Sequence, residues 1–194
     1  MDNTPMAALT RRFDDALLYA HAAHATQIRK GGTPYIGHLL GVASIVIDDG
    51  GNEDEAIAAL LHDAAEDAGG RERLADIRSH FGPIVAGIVE DCTDSWTTPK
   101  KPWAERKREY VQHARSLARS SLRVSSADKV HNAYAILRGL KTSGEAVWER
   151  FNASPDDVLA YYQSLVRAFR ESGGGPLVEE LDRIVRGIER EMGY

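Results

Sequence analysis

Apolar residues recur every three to four positions along most of the chain, which is the spacing of an amphipathic helix. The first such segment begins near Leu9 and runs to about Gln27, and a second starts near His38 and stops at the turn over 49–52. Glycine and proline separate these segments, because both residue types interrupt helices. A third helix is predicted from Asp54 to about Ala68, ending at a glycine pair.

The same spacing continues through the rest of the chain. The predicted helices there cover 74–80, 83–93, 103–120, 125–140, 155–170 and 176–192. No alternating strand pattern of useful length appears, so the pattern predicts an all-α fold, a compact helical bundle. Because the predicted loops are short, we expect one domain over 1–194, with a core at about 5–170 and the helix over 176–192 appended.

Composition narrows the class of protein. Hydrophobic residues make up 43% and charged residues 27% of the chain, an ordinary globular balance. The net charge of −5 argues against a general nucleic-acid binder, although local pairs such as Arg29-Lys30 and Lys100-Lys101 suit a small anionic ligand. No apolar run is long enough to span a membrane, no signal-peptide pattern appears, and the single Cys92 fits a reducing compartment. We therefore expect a cytoplasmic protein without membrane contacts.

Histidine and carboxylate residues concentrate in three stretches, at His38, at His62-Asp63-Ala64-Ala65-Glu66-Asp67, and at Asp128 with Asn132. A carboxylate on a half-buried helix face is costly unless a cation compensates it. In a continuous helix residues four apart share a face, which places Glu66 above His62 and Asp67 above Asp63. The set therefore predicts a divalent metal site and hydrolytic chemistry. Two imidazoles and two carboxylates suit Mn²⁺, Fe²⁺ or Zn²⁺, and the oxygen share favours Mn²⁺.

Each stretch taken alone also has a plainer interpretation. The His-Asp pair resembles many surface pairs, the acids before Gly69 resemble a solvated helix end, and Asp128-Lys129 resembles an exposed ion pair. The remaining histidines are interpreted as packing residues rather than ligands: His21, His24, His80, His113 and His131.

Longer sequence stretches carry a family pattern. They are Arg29–His38, Ala58–Asp67, Phe81-Gly82 with Val89–Thr93, and Ala127–Asn132. Together they resemble the HD-domain metal-dependent phosphohydrolases and, more narrowly, the single-domain small alarmone hydrolases of the RelA/SpoT group. The resemblance covers the chain to about Arg170.

The resemblance implies an activity and a role for each site residue. The family removes pyrophosphate from the 3′ position of guanosine tetra- or pentaphosphate and leaves GDP or GTP. One metal ion, typically Mn²⁺, would be held by His38, His62, Asp63 and Asp128. The acids that orient and deprotonate the attacking water would be Glu66 and Asp67. The nucleotide would be contacted by Arg29, Lys30 and, at its ribose, Asn132, with its phosphates at Lys100 and Tyr161.

Several alternatives stay open. Leu39, Ala64-Ala65 and Tyr134 differ from the family pattern and leave the base preference open. The substrate would then be an adenosine alarmone, NADPH at its 2′-phosphate or a modified tRNA end, and the protein would serve as an antitoxin beside an alarmone-making toxin. A catalytically silent HD module that binds a nucleotide and a general HD nucleotidase are further alternatives. The final helix either packs on the domain or pairs with a second subunit.

Overall fold

The computed structural model describes residues 8–67, 69–96 and 99–194. The chain divides into two compact units, residues 1–93 and residues 94–194. Within the described ranges all the regular structure is helical, which confirms the predicted all-α class, and the one β-bridge is an isolated pair between Ile28 and Pro34.

The first unit is built around a central buried helix. Its elements are α1 (Arg11–Ala23), α2 (Ile36–Asp48), α3 (Glu53–Leu61), α4 (Ala64–Asp67), α5 (Gly70–Phe81) and α6 (Pro83–Cys92). Helix α3 packs against α1, α2 and α6, and its side chains from Ala56 to Leu61 are fully buried. A helix that is apolar all round has no solvent face, so it belongs in a core. Its start is fixed by a capping box, in which Asn52 and Glu55 satisfy each other's backbone N–H groups.

The second unit is built around one long helix. Its elements are α7 (Trp103–Ala114), α8 (Arg119–Ser143), a 3₁₀ helix (Gly144–Arg150), α9 (Pro155–Glu171) and α10 (Pro176–Met192). Helix α10 packs on α8 and α9, and its apolar stripe of Leu181, Val185 and Ile188 is buried there. The predicted bounds of this last helix are confirmed, and its apolar stripe packs within its own unit.

Several predicted helix bounds are wrong, among them the starts of α5 and α8, which lie at Gly70 and Arg119 rather than at 74 and 125. Helix α1 ends at Ala23 rather than near Gln27, and a turn with a short hairpin follows. The predicted third helix is interrupted at His62-Asp63, which separates α3 from α4, and its predicted end at Ala68 lies outside the described residues. The segment 103–120 contains the end of α7 and the start of α8 rather than one helix. In the described ranges no helix has both the length and the apolar character needed to cross a membrane.

Candidate metal centre

The Arg29-Lys30 pair lies in a tight hairpin between α1 and α2. The Tyr35 N–H donates to the Gln27 carbonyl at 3.0 Å, and the Arg29 N–H donates to the Thr33 carbonyl at 2.8 Å. Gly32 takes a positive φ of 83° at the turn, a conformation that favours glycine. The hairpin therefore presents the two cationic residues at its tip and delivers Tyr35 to the start of α2.

Two buried imidazoles face each other in the first unit. His38 lies in the first turn of α2 and His62 directly follows α3, each 2% exposed, with ring centres 5.1 Å apart. His62 Nδ1 lies 2.8 Å from the Ala59 carbonyl, and because a carbonyl only accepts, the ring hydrogen is on Nδ1. The lone pair of His62 is therefore on Nε2. A carbonyl that fixes the tautomer in this way is the usual support of a metal-ligating histidine.

Both imidazoles converge on one carboxylate oxygen. Asp63 Oδ2 lies 3.0 Å from His62 Nε2 and 3.5 Å from His38 Nε2, and it accepts a 2.7 Å hydrogen bond from the Tyr35 hydroxyl. Ligand atoms that each lie about 2.1 Å from one ion are themselves about 3.0–3.5 Å apart. The spacing of these three atoms therefore fits a metal-ligand set.

The side chains of His62 and Asp63 meet at the junction between α3 and α4. Adjacent residues of a helix point about 100° apart, and His62 keeps a helical backbone, with φ of −57° and ψ of −31°. The ring nitrogen of His62 nevertheless lies 3.0 Å from the carboxylate of Asp63. Helix α4 then carries the two predicted catalytic acids, with Glu66 half-buried and Asp67 exposed, and Asp67 Oδ2 accepts a 2.9 Å hydrogen bond from Gln27 Nε2.

In the second unit the predicted ligand Asp128 is a buried carboxylate on α8, 5% exposed. Asn132 Nδ2 donates to its Oδ1 at 2.6 Å and Lys129 Nζ donates to its Oδ2 at 2.5 Å. Burial lowers the pKa of Lys129, but the Asp128 carboxylate outweighs this effect, and the pKa is raised well above its ordinary value. Asp128 is thus buried and Lys129 half-buried, and the interpretation of Asp128-Lys129 as an exposed ion pair is wrong.

Of the two residues assigned to substrate phosphate, Tyr161 is buried in α9 and Lys100 is exposed in the segment before α7. The lysine that contacts the Tyr161 ring is Lys107, whose Nζ lies 5.2 Å from the ring centre. Lys107 was not among the predicted site residues. Its place in a run of charged residues at the start of α7 gives no sign of burial.

A buried carboxylate holds Lys107 in place. Asp94, whose side chain is 7% exposed, lies 2.5 Å from Lys107 Nζ and 2.6 Å from Arg106 Nη1. Burial raises the pKa of Asp94, but the Lys107 ammonium and the Arg106 guanidinium outweigh it and lower the pKa to about 2.

This depressed pKa predicts a pH-dependent contribution to stability. A carboxylate whose folded pKa lies below its unfolded value stabilises the fold above the unfolded pKa of about 4, and the contribution is lost as the pH falls towards the folded value. We expect Asp94→Asn to lower the free energy of unfolding at pH 7 by roughly 2 kcal/mol. Urea unfolding from pH 7 to pH 2.5 should show the difference from wild type shrinking below about pH 4. A difference that stays constant over this range would contradict the assignment.

The predicted packing role of the other histidines has a mixed outcome. His21 is exposed, so its interpretation as a packing residue is wrong, whereas His24 is buried at 3% exposure. The His24 ring does more than pack, because its Nδ1 lies 2.6 Å from Gln27 Oε1 and its ring stacks on Tyr35.

The family pattern described as the HD domain matches residues 16–159. The chain belongs to the HD-domain family. An HD domain implies a divalent metal ion, and buried residues with side chains of the metal-binding kind are His38 and His62 in the first unit and Asp128 in the second.

Similar proteins share one described activity. The chain is 40% identical over 153 residues to the guanosine-3′,5′-bis(diphosphate) 3′-pyrophosphohydrolase MESH1 of Xenopus tropicalis. The matched residues cover 77% of this chain and 78% of that protein. The protein of the same name from Drosophila melanogaster is 33% identical, over 90% of this chain and 93% of its own. A solved structure of a metazoan orthologue of SpoT, described as hydrolysing ppGpp, has a TM-score of 0.75 at 29% identity and covers 93% of this chain and 97% of that one.

Proposed function

We propose that this protein is a metal-dependent hydrolase that removes pyrophosphate from the 3′ position of guanosine tetra- and pentaphosphate, leaving GDP or GTP. The observation that carries the proposal is the approach of His38 Nε2 and His62 Nε2 to one oxygen of Asp63. The identity of the substrate is supported by the similarity to enzymes named for this reaction.

The ligand set of the proposed ion is His38, His62, Asp63 and Asp128. The fixed tautomer of His62 and the spacing of the Asp63 oxygen support the first three members. The fourth member, Asp128, is supported by the resemblance to the HD-domain family and by a buried carboxylate of the kind that binds metal ions. We take the ion to be Mn²⁺, since two nitrogen and two oxygen ligands suit it. Such an ion supplies Lewis-acid activation of water and neutralises charge on the attacked phosphoryl group.

Proton transfer, orientation of the water and binding of the substrate are assigned to other residues of the chain. Glu66 takes the proton of the attacking water and Asp67 orients that water, because both follow the ligand turn directly on α4. The Asn132 amide nitrogen donates to Asp128, and its amide oxygen is an acceptor suited to a ribose hydroxyl. Substrate charge is met by Arg29 and Lys30 at the hairpin tip and by Lys100 and Tyr161.

One domain over 1–194 and a cytoplasmic location remain part of the proposal. The HD-domain match runs from residue 16 to residue 159, so it continues past the boundary between the two units at 93–94. This supports a single functional domain whose sequence spans both units. Three secondary proposals are compatible with this reaction. They are assembly into a homo-oligomer, a role as an antitoxin, and action on a tRNA end.

A substrate panel tests the proposal. Purified protein with Mn²⁺ is incubated with guanosine tetraphosphate, its adenosine counterpart, NADPH and a 3′-pyrophosphorylated tRNA end, with a chelated sample as control. We expect GDP and pyrophosphate in equal amounts from the guanosine substrate and no product after chelation. Faster turnover of another panel member would replace the substrate assignment. Tight nucleotide binding without turnover would identify a silent module.

A further inference from the structure

A buried histidine in the first unit lies at one end of a chain of hydrogen bonds that reaches a proposed catalytic acid. His24 Nδ1 lies 2.6 Å from Gln27 Oε1, and Gln27 Nε2 donates to Asp67 Oδ2 at 2.9 Å. A carboxylate offers only acceptors, so the Gln27 amide presents its NH₂ group to Asp67 and its oxygen to His24. The His24 ring hydrogen therefore lies on Nδ1, and every group in the chain has a defined orientation.

The middle of this chain is fixed by the backbone as well. The Gln27 N–H donates to the His24 carbonyl at 3.0 Å, and the Gln27 carbonyl accepts from the Tyr35 N–H at 3.0 Å. The His24 ring is 3% exposed and stacks on the Tyr35 ring at 5.1 Å, with an angle of 15° between the planes. The Gln27 backbone is therefore held by a hydrogen bond on each side, and the His24 ring that meets its amide oxygen is held by stacking.

Asp67 needs such support because packing does not fix its side chain. It is exposed at the end of the four-residue helix α4, and an exposed side chain that must stay in one rotamer loses conformational freedom. A catalytic acid that drifts by about 1 Å can lose about 100-fold in rate. The hydrogen bond from the Gln27 amide to Asp67 Oδ2 restricts the rotation of the carboxylate.

We propose that His24 and Gln27 are positioning residues that hold the Asp67 carboxylate in the orientation needed for catalysis. The proposal rests on the proposed function, since it takes Asp67 to be the acid that orients the attacking water. Gln27 acts on Asp67 directly, and His24 acts through Gln27.

Gln27→Ala is the first test variant, with Gln163→Ala as the matched control. Gln163 makes the same kind of bond, from its Nε2 to the carboxylate of Glu189 at 2.6 Å, but its partner has no proposed role in catalysis. We expect Gln27→Ala to lower kcat by about 10- to 100-fold, the range of outer-shell partners, with KM and the Mn²⁺ dissociation constant within about twofold. The Mn²⁺ constant is measured by calorimetry on metal-free protein. The Gln163→Ala variant should stay within about twofold throughout.

A pair of His24 variants separates hydrogen bonding from packing. His24→Phe keeps a ring against Tyr35 but has no donor, whereas His24→Asn keeps a donor near the position of Nδ1 but loses the ring. We expect kcat to fall in His24→Phe and to be partly restored in His24→Asn. If His24→Phe keeps the wild-type kcat, the hydrogen-bonded role of His24 is wrong. The role is also wrong if His24→Asn is no more active than His24→Phe.

The effect of Gln27 should also disappear when its partner is absent. In an Asp67→Ala background, adding Gln27→Ala should change kcat by less than about twofold, and a full repeat of the original loss would overturn the proposal. A loss of Mn²⁺ affinity as large as the loss of kcat would overturn it too, because the bond would then be structural.

A failure of the proposed function gives a different result. Wild-type protein would then release no pyrophosphate from guanosine tetraphosphate. The Gln27–Asp67 coupling would still be measured from the urea midpoints of the two single variants and the double variant, where additive shifts would refute the contact itself.

Discussion

Replacing Asp63 by asparagine is expected to lower kcat for pyrophosphate release by about 1,000-fold or more and to weaken Mn²⁺ binding by at least about tenfold. Asparagine keeps the size of the side chain and its oxygen still accepts from the Tyr35 hydroxyl, but it brings no negative charge. The charge matters because Asp63 Oδ2 lies between two buried imidazole nitrogens, at 3.0 Å and 3.5 Å. Initial rates of pyrophosphate release and titration of metal-free protein with Mn²⁺ give both quantities.

Asp76→Asn is the matched control for this variant. Asp76 also accepts a hydrogen bond from a tyrosine, Tyr19, and lies 3.3 Å from the His80 ring, so its local chemistry is similar. It has no second imidazole and no proposed ligand role, and we expect its kcat to stay within about twofold of wild type. If Asp63→Asn keeps more than about a tenth of the wild-type kcat, or if both variants lose equally, Asp63 is not a ligand.

Replacing Glu66 by glutamine is expected to lower kcat by about 10²- to 10⁴-fold while leaving KM and Mn²⁺ affinity within about threefold. The amide has nearly the shape of the carboxylate but cannot take a proton from water. Glu66 is half-buried on α4, three residues after Asp63, so the exchange tests proton transfer with little change in packing. Single-turnover rates at saturating Mn²⁺ separate this loss from any change in metal binding.

Glu72→Gln supplies the control, because Glu72 is an exposed acid in the first turn of α5. Its kcat should remain at the wild-type value. A Glu66→Gln variant with near wild-type turnover would assign proton transfer to another group, and one that loses Mn²⁺ would place Glu66 among the ligands.

The helices were predictable where local chemistry marks their ends. Proline at the first position of α9 and α10, with Ser154 capping α9, agrees with the predicted starts at 155 and 176. The joint between α7 and α8 was missed because 111–117 contains neither glycine nor proline. Leu117 is buried in that joint at 5% exposure, so packing overrode the local preference for a continuous helix.

The clustering of the first-unit candidate residues was predictable from the sequence, but the junction between α3 and α4 was not. The sequence placed His62 and Asp63 on one continuous helix, where side chains about 100° apart could still reach one cation at the helix edge. The junction has no helix-breaking residue to mark it, since alanines and leucines surround it.

Supporting residues were harder to find than the proposed ligands. Gln27 has no chemistry that would single it out, and its partner Asp67 is 40 residues away in the sequence. His24 was interpreted as a packing residue, and its ring does stack on Tyr35. Its contact with the Gln27 side chain was missed, because a sequence does not distinguish a buried histidine that packs from one that also forms a hydrogen bond. The exposed ion pair considered for Asp128-Lys129 proved wrong, because Asp128 is buried and Lys129 is half-buried beside it.

The most direct test is an anomalous difference map from crystals of the Mn²⁺-loaded protein, measured above the manganese absorption edge. The account predicts one strong peak bonded at about 2.0–2.2 Å to His38 Nε2, His62 Nε2 and carboxylate oxygens of Asp63 and Asp128. A peak bonded to other residues, or one from which Asp63 or Asp128 is missing, would contradict it.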